Sequence, residues 1–280
     1  MSIKNLVLLM DESSGAEPRL RLGLYMANKY GAHLTGVYLR SPRLLPPQIA
    51  NLLPNSERRN MEQHLRDTEA AAAQRSGELF NRLCTVTSLG ERAHWLVVEG
   101  LRDRMAGVIA RYSDLVVAGQ RTDDEILSPG INPEEVVFES GRPLLVVPQS
   151  FELERVQLEH AVLGWNGGRE AARALADAML ILETKSLVSV VTVGKRPEVE
   201  ALHGMTIGEH LQRHGISVHE VILEPRERDP GLDLLRYAER EGAGLLVMGA
   251  YSRPRLQEQI LGGATRSVLE RMTIPVLMSH

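Results

Sequence analysis

Three glycines near the C-terminus, Gly249, Gly262 and Gly263, stand where a backbone could approach an anion. Gly249 falls in the run 'GLLVMGA' at 244–250, which reads as a buried strand. Gly262 and Gly263 open a segment with helical periodicity. The first N–H groups of a helix have no partner inside it, so they are available to an anion. Glycine also lacks the Cβ that would hold a ligand off the backbone. Thr265 either adds a hydroxyl donor or caps its own helix. Between the glycines, Arg253 and Arg255 either neutralise phosphates or belong to a solvated loop, with Pro254 stiffening it. This is chemistry for holding a phosphate, with no bond-making group in sight.

A second wall for such a site would come from the end of another strand. The run Ala161–Trp165 ends at Asn166 and is followed by two glycines and a helical pattern. Asn166 offers an acceptor oxygen, or serves as a turn residue capping the next helix. Trp165 is either a platform for a base or a core aromatic.

These residues need a scaffold, and the chain shows one written twice. The run Leu6–Met10 ends at Asp11 much as the run before Asn166 does. 'DLVVAGQ' at 114–120 resembles 'GLLVMGA', and 'GRPLLVVP' at 141–148 resembles 'TIPVLMS' at 273–279. In the second half, strands are expected near 160–165, 186–193, 216–223, 244–249 and 274–279. Helices are expected near 168–183, 198–214, 230–241 and 263–272. Asp229 before Pro230 reads as an N-cap with proline at the first helical position. Alternating strands and helices imply parallel pairing, and continuous Val/Leu runs imply strands buried on both faces. The domains are expected at 1–150 and 156–280, divided near 150–158 by the polar 'QSFELERVQ'. The first half is longer, and much of the excess is the Pro-rich stretch at 41–54, which cannot be regular helix or central strand. Its Leu44, Leu45, Ile49, Leu52 and Leu53 imply burial on a domain or on a partner.

The order of these elements resembles the universal stress protein family. 'VLGWNGGREAARALADAM' is similar to that family's opening strand, loop and first helix. 'LLVMGAYSRPRLQEQILGGATRSVLERMTIPVLMSH' is similar to its fourth strand, phosphate loop, last helix and last strand. The first half is a weaker match in the same order, so the chain resembles a tandem member. The resemblance implies an α/β fold of two Rossmann-like domains, each a five-stranded parallel sheet of order 3-2-1-4-5. It also implies pairing through last strands, and ATP binding in some members.

Nucleotide-binding members show Gly, two residues, Gly, nine residues, Gly, then Ser or Thr. Here those positions hold Gly249, Ser252, Gly262 and Gly263, so two of four match. If Ser252 needed positive φ, it would cost roughly 1 kcal/mol or more. Trp165 and Asn166 stand where the family commonly has an Asp that contacts the nucleoside, and Val193 would offer backbone to adenine. The resulting set is Trp165, Asn166, Val193, Met248, Gly249, Ser252, Gly262, Gly263, Ala264 and Thr265, taking ATP with Mg²⁺ or a related adenine nucleotide. The first half keeps Asp11 but leads from Gly119 to Thr122, Asn132 and Pro133. Asp123, Asp124, Glu125, Glu134 and Glu135 put carboxylates where phosphates would sit. That half is not expected to bind a triphosphate in the family's manner.

Other chemistry finds little support. His203, His210 and His214 share helical spacing, but their charge-rich surroundings favour a solvated face over a metal site. Cys84 is the single cysteine, which excludes an intrachain disulfide and suits a reducing cytoplasm. No residue is positioned as a base to activate water, so an enzyme would be a weak ATPase at most. A net charge of −4 shows no basic footprint for nucleic acid. No apolar run approaches the ~20 residues that span a bilayer. A soluble cytoplasmic protein is expected, either a homodimer or one whose two domains pair through their last strands. The alternative function is an interaction module that binds no nucleotide.

Overall fold

The structure is a computed structural model that describes residues 2–40, 52–87, 89–121, 131–155, 157–195, 206–226, 229–250 and 263–280. Its centre is one ten-stranded sheet of order β3-β2-β1-β4-β5-β10-β9-β6-β7-β8. The first five strands are β1 Asn5–Met10, β2 His33–Arg40, β3 Ala93–Glu99, β4 Leu115–Gly119 and β5 Leu144–Val147. The second five are β6 His160–Gly164, β7 Leu187–Val193, β8 Val218–Leu223, β9 Leu245–Gly249 and β10 Val276–Ser279. Each set is parallel within itself and has the order 3-2-1-4-5. The sets meet where β5 and β10 pair antiparallel, with Leu145 opposite Leu277. Pairing through last strands is therefore present within one chain.

Helices α1 Ala16–Tyr30, α2 Asn55–Val86, α3 Arg102–Ala110 and α4 Pro133–Ser140 belong to the first half. The second half has α5 Arg169–Leu182, α6 Ile207–Arg213, α7 Pro230–Arg240 and α8 Ala264–Arg271. Among the described residues two large hydrophobic cores form, one on each sheet face, beside a small cluster of Tyr38, Ala72 and Ala73. Side chains alternate across a strand, so Leu6, Leu8 and Met10 enter the first core while Val7 and Leu9 enter the second. The first core collects α1, α2, α5 and α6, and the second collects α3, α4, α7 and α8. Each core runs through both halves without a break.

Local chemistry explains the ends of these elements. Asp229 accepts a hydrogen bond from the Gly231 N–H at 2.9 Å, with Pro230 at the first helical position, as the sequence predicts. Thr206 and Glu209 form a reciprocal capping box on α6. Gly31 ends α1 at φ 61°, a conformation that favours glycine. Gly36 lets α2 close on β2, because a Cβ there would lie 2.6 Å from the Phe80 ring. The sheet edges β3 and β8 are only half covered, and Leu96, Val97 and Ile222 are exposed. Of the Pro-rich stretch, 41–51 lies outside the described residues. Leu52, expected to be buried, is instead 83% exposed. It begins the approach to α2, ahead of the helix's first packed turn.

Candidate functional site

In the second half, β6 and β9 are neighbours, while β6 leads on to β7 and β9 leads on to β10. The chain leaves the ends of these two central strands in opposite directions, the place where open α/β sheets bind ligands. Asn166 follows β6 there, Gly249 ends β9, and α8 begins at Gly263. Ser252 and Gly262, with the arginines between them, lie outside the described residues.

Gly263 occupies the N-cap position of α8 at φ −75° and ψ 143°, with no side-chain cap and no acidic residue in the first turn. Ala264 is half-buried beside it, while Thr265 is 3% exposed, so its side chain is a packed group more than a surface donor. Met248 points into the second core at 5% exposure. Val193 ends β7 half-buried and packed on that same core.

The other wall is tied to its own turn. The Asn166 Oδ1 accepts from the Gly168 N–H at 2.8 Å, and the intervening Gly167 has φ 70°. Trp165 is half-buried against the first core, and its backbone N–H donates to the Val191 carbonyl at 2.9 Å. These contacts fit the turn and core readings of the two residues. Gly249 has a packing reason of its own: a Cβ would come within 2.5 Å of the Glu170 backbone carbon. The start of α5 rests on that glycine.

The first half is built differently at the same place. Asp11 follows β1 and Gly119 ends β4, but the space between them is taken by Arg19 from α1. Its Nη2 lies 2.8 Å from Asp11 Oδ1, and its side chain is 1% exposed. The guanidinium also lies so close to Gly119 that no Cβ would fit. Burial opposes ionisation of Asp11, but the Arg19 charge and hydrogen bonds from Ser13 outweigh it and lower the pKa. The Ser13 N–H and hydroxyl donate to Asp11 Oδ1 at 3.0 and 2.6 Å. The helix that corresponds to α8 is already capped. Asn132 Oδ1 accepts from the Glu134 N–H at 3.1 Å, and Glu134 and Glu135 occupy the first turn of α4. Asp123, Asp124, Glu125 and Thr122 lie outside the described residues.

Sequence reading missed Arg19. The available signal was an arginine on the buried stripe of α1, among Ala16, Leu20, Gly23 and Ala27. It also missed Gln120, whose Nε2 donates to the Leu269 and Glu270 carbonyls at 2.9 and 3.2 Å. That contact ties the end of β4 in one half to the last turn of α8 in the other.

Residues 159–280 match the model of the universal stress protein family. The second half of the chain is thus similar to the universal stress protein family. A universal stress protein of Synechocystis is 24% identical over 172 residues, covering 59% of this chain and 57% of that relative's length. Little more than half of that relative is thus matched. A universal stress protein from Archaeoglobus fulgidus superposes with a TM-score of 0.74 at 18% identity, over 99% of this chain and 96% of its own. A functionally unknown protein from Pseudomonas aeruginosa gives 0.58 at 14% identity, over 99% and 92% of the two chains. At such identities the structural likeness speaks for the fold. The universal stress protein fold thus extends across both halves, while the family model itself covers the second.

Among the described residues, no cluster of three or more His, Cys, Asp or Glu could hold a metal ion. His210 and His214 lie 5.1 Å apart as rings, and His214 Nδ1 contacts Glu183 Oε1 at 3.2 Å. His203 is outside the described residues. Among the described residues, no helix is long and apolar enough to cross a membrane.

Proposed function

We propose that the chain is a stress-response regulatory protein that binds ATP, with Mg²⁺, or a related adenine nucleotide in its second half. The observation that carries this is the contrast between two equivalent helix starts. The α8 start has glycine at its N-cap and no carboxylate in its first turn. The α4 start is capped by Asn132 and carries two glutamates, and Arg19 fills the adjoining recess. A polyphosphate gains from the positive end of the helix dipole at α8. At α4 the donor is used and the local charge repels it. The site would comprise Gly249, Ser252, Gly262, Gly263, Ala264 and Thr265 for phosphate, with Trp165, Asn166, Val193 and Met248 around the nucleoside. The domains would run over 1–150 and 156–280, the first serving as a structural partner.

Titration calorimetry of the full-length protein with ATP and Mg²⁺ tests this reading. Saturable one-to-one binding is expected. No heat of binding at millimolar nucleotide, with circular dichroism showing folded protein, would sink it.

A second reading is an interaction module of the same fold that binds no nucleotide. It is favoured by Asn166, whose oxygen is already taken by Gly168, and by the packing of α5 on Gly249. The same titration separates the two.

A further inference from the structure

An apolar recess lies away from that cleft, at the opposite end of β9 from Gly249. It covers the seam between β5 and β10, between α1 of one half and α5 of the other. Leu22 and Met26 form one side and Ile181 the other, with Leu145, Leu245 and Pro275 as the floor. The recess is shallow, with about 40 Å³ available to water-sized molecules, and its mouth opens to solvent. Tyr25 and Tyr30 line the mouth with Lys29 and Lys185. No carboxylate is among the lining residues.

The two lysines set the chemistry of an occupant. Lys29 Nζ lies 5.7 Å from the Tyr25 ring centre and 6.0 Å from that of Tyr30, which holds its charge at the mouth. Lys185 is half-buried where the loop after α5 turns back, and its Nζ donates to the Leu158 carbonyl. An ammonium has three hydrogens, so Leu158 leaves two for another acceptor. Burial and repulsion from Lys29 push the Lys185 pKa down to about 8, against an attraction from Glu159. Two cations therefore crowd one end of an apolar recess. An anion between them would relieve that repulsion, and a hydrocarbon body would exclude water from the floor.

We propose that this recess binds a small amphipathic anion, an acyl-chain carboxylate whose head group sits between Lys29 and Lys185 and whose chain lies on Leu145 and Leu245. The site is independent of the nucleotide reading, because its lining residues share none with the α8 cleft. Such a ligand would span the two halves and couple its binding to their packing.

The test is a titration of full-length protein, methyl-labelled at Ile, Leu and Met, with decanoate below its micelle concentration. Saturable shifts are expected at Met26, Ile181 and Leu245. Lys29→Gln with Lys185→Gln should weaken the affinity about tenfold or more, as should replacing decanoate by decanol; tenfold corresponds to about 1.4 kcal/mol. Lys29 is exposed and Lys185 half-exposed, so the double variant removes charge without opening the core. ATP titration of that variant should be unchanged, which separates this proposal from the nucleotide site. Absence of saturable shifts at these methyls would overturn the proposal. So would equal affinity for decanol, or an unaltered decanoate affinity in the double variant.

Discussion

Arg19 Nη2 lies 2.8 Å from Asp11 Oδ1, across the recess that faces Gly119. The pair places a cation from α1 inside the cleft of the first half, where, among the described residues, the start of α5 packs against Gly249 in the second half. A buried guanidinium is tolerated only with a partner, so the two residues stand or fall together.

Removing one partner should therefore cost more than removing both. A fully buried pair broken on one side costs about 3–5 kcal/mol. A third of the Asp11 side chain reaches solvent, so Arg19→Met should cost less, about 2 kcal/mol. The double variant with Asp11→Asn should recover part of that loss. Urea midpoints of the four proteins measure the coupling. Strictly additive effects would count against a paired arrangement.

Acid should weaken the same contact. The Asp11 pKa is lowered in the folded chain from its ordinary 3.8. Stability from this group is thus complete above 3.8 and is lost as pH falls through the lower folded value. Asp11→Asn should differ from the parent by a constant amount between about pH 5 and 7, and the gap should narrow below about pH 4. Urea unfolding at several pH values reads this directly. A gap that widens on acidification would contradict the sign.

Gly263→Asp separates stability from phosphate binding. The position has extended N-cap geometry, where Asp is as good as or better than Gly by a few tenths of a kcal/mol. The thermal midpoint should hold or rise slightly. A carboxylate at that point repels phosphate, so ATP affinity should fall about tenfold or more. Calorimetry and thermal melting of one preparation give both readouts, and unchanged ATP affinity would move the site elsewhere.

The shared cores should make the halves unfold together. Trp95 is in the first half and Trp165 in the second, and they are the two tryptophans of the chain. Single-tryptophan variants, made by Trp165→Phe or Trp95→Phe, should show coincident urea transitions. Leu145→Ala, at 2% exposure in the seam, should shift both by about 2–4 kcal/mol. A shift in one transition alone would mean the halves are energetically separate.

Cys84 should resist thiol reagents in the native state. It is 6% exposed in the last turn of α2, and burial pushes its pKa up to about 11. The thiolate is the reactive form. Labelling by a disulfide reagent at pH 8 should be slow in buffer and complete in urea. Fast native labelling would show that the last turn of α2 opens readily.

Much of this architecture was legible in the residues. Continuous runs such as Leu245–Met248 and Val188–Val191 read as strands buried on both faces, and Asp229-Pro230 marked the start of α7. Repeated element order supported two halves of one plan, and the strand order was implied by the family resemblance. The candidate site was less legible because its residues are ordinary turn formers. Asn166, Gly168 and Gly249 each meet a local packing or hydrogen-bond need, and such needs leave the same letters as a ligand would.

The sequence by itself determined the local elements, the resemblance of the two halves and the glycine spacing at α8, because these depend on periodicity and on near neighbours. Only the tertiary structure decided that Arg19 enters the first cleft, that Gln120 reaches the end of α8, and that Leu145 and Leu245 share a recess under Lys29 and Lys185. Each of those joins groups far apart in the chain. Their meeting depends on how β5 lies against β10 and how helices pack over the seam, and no local pattern records that geometry.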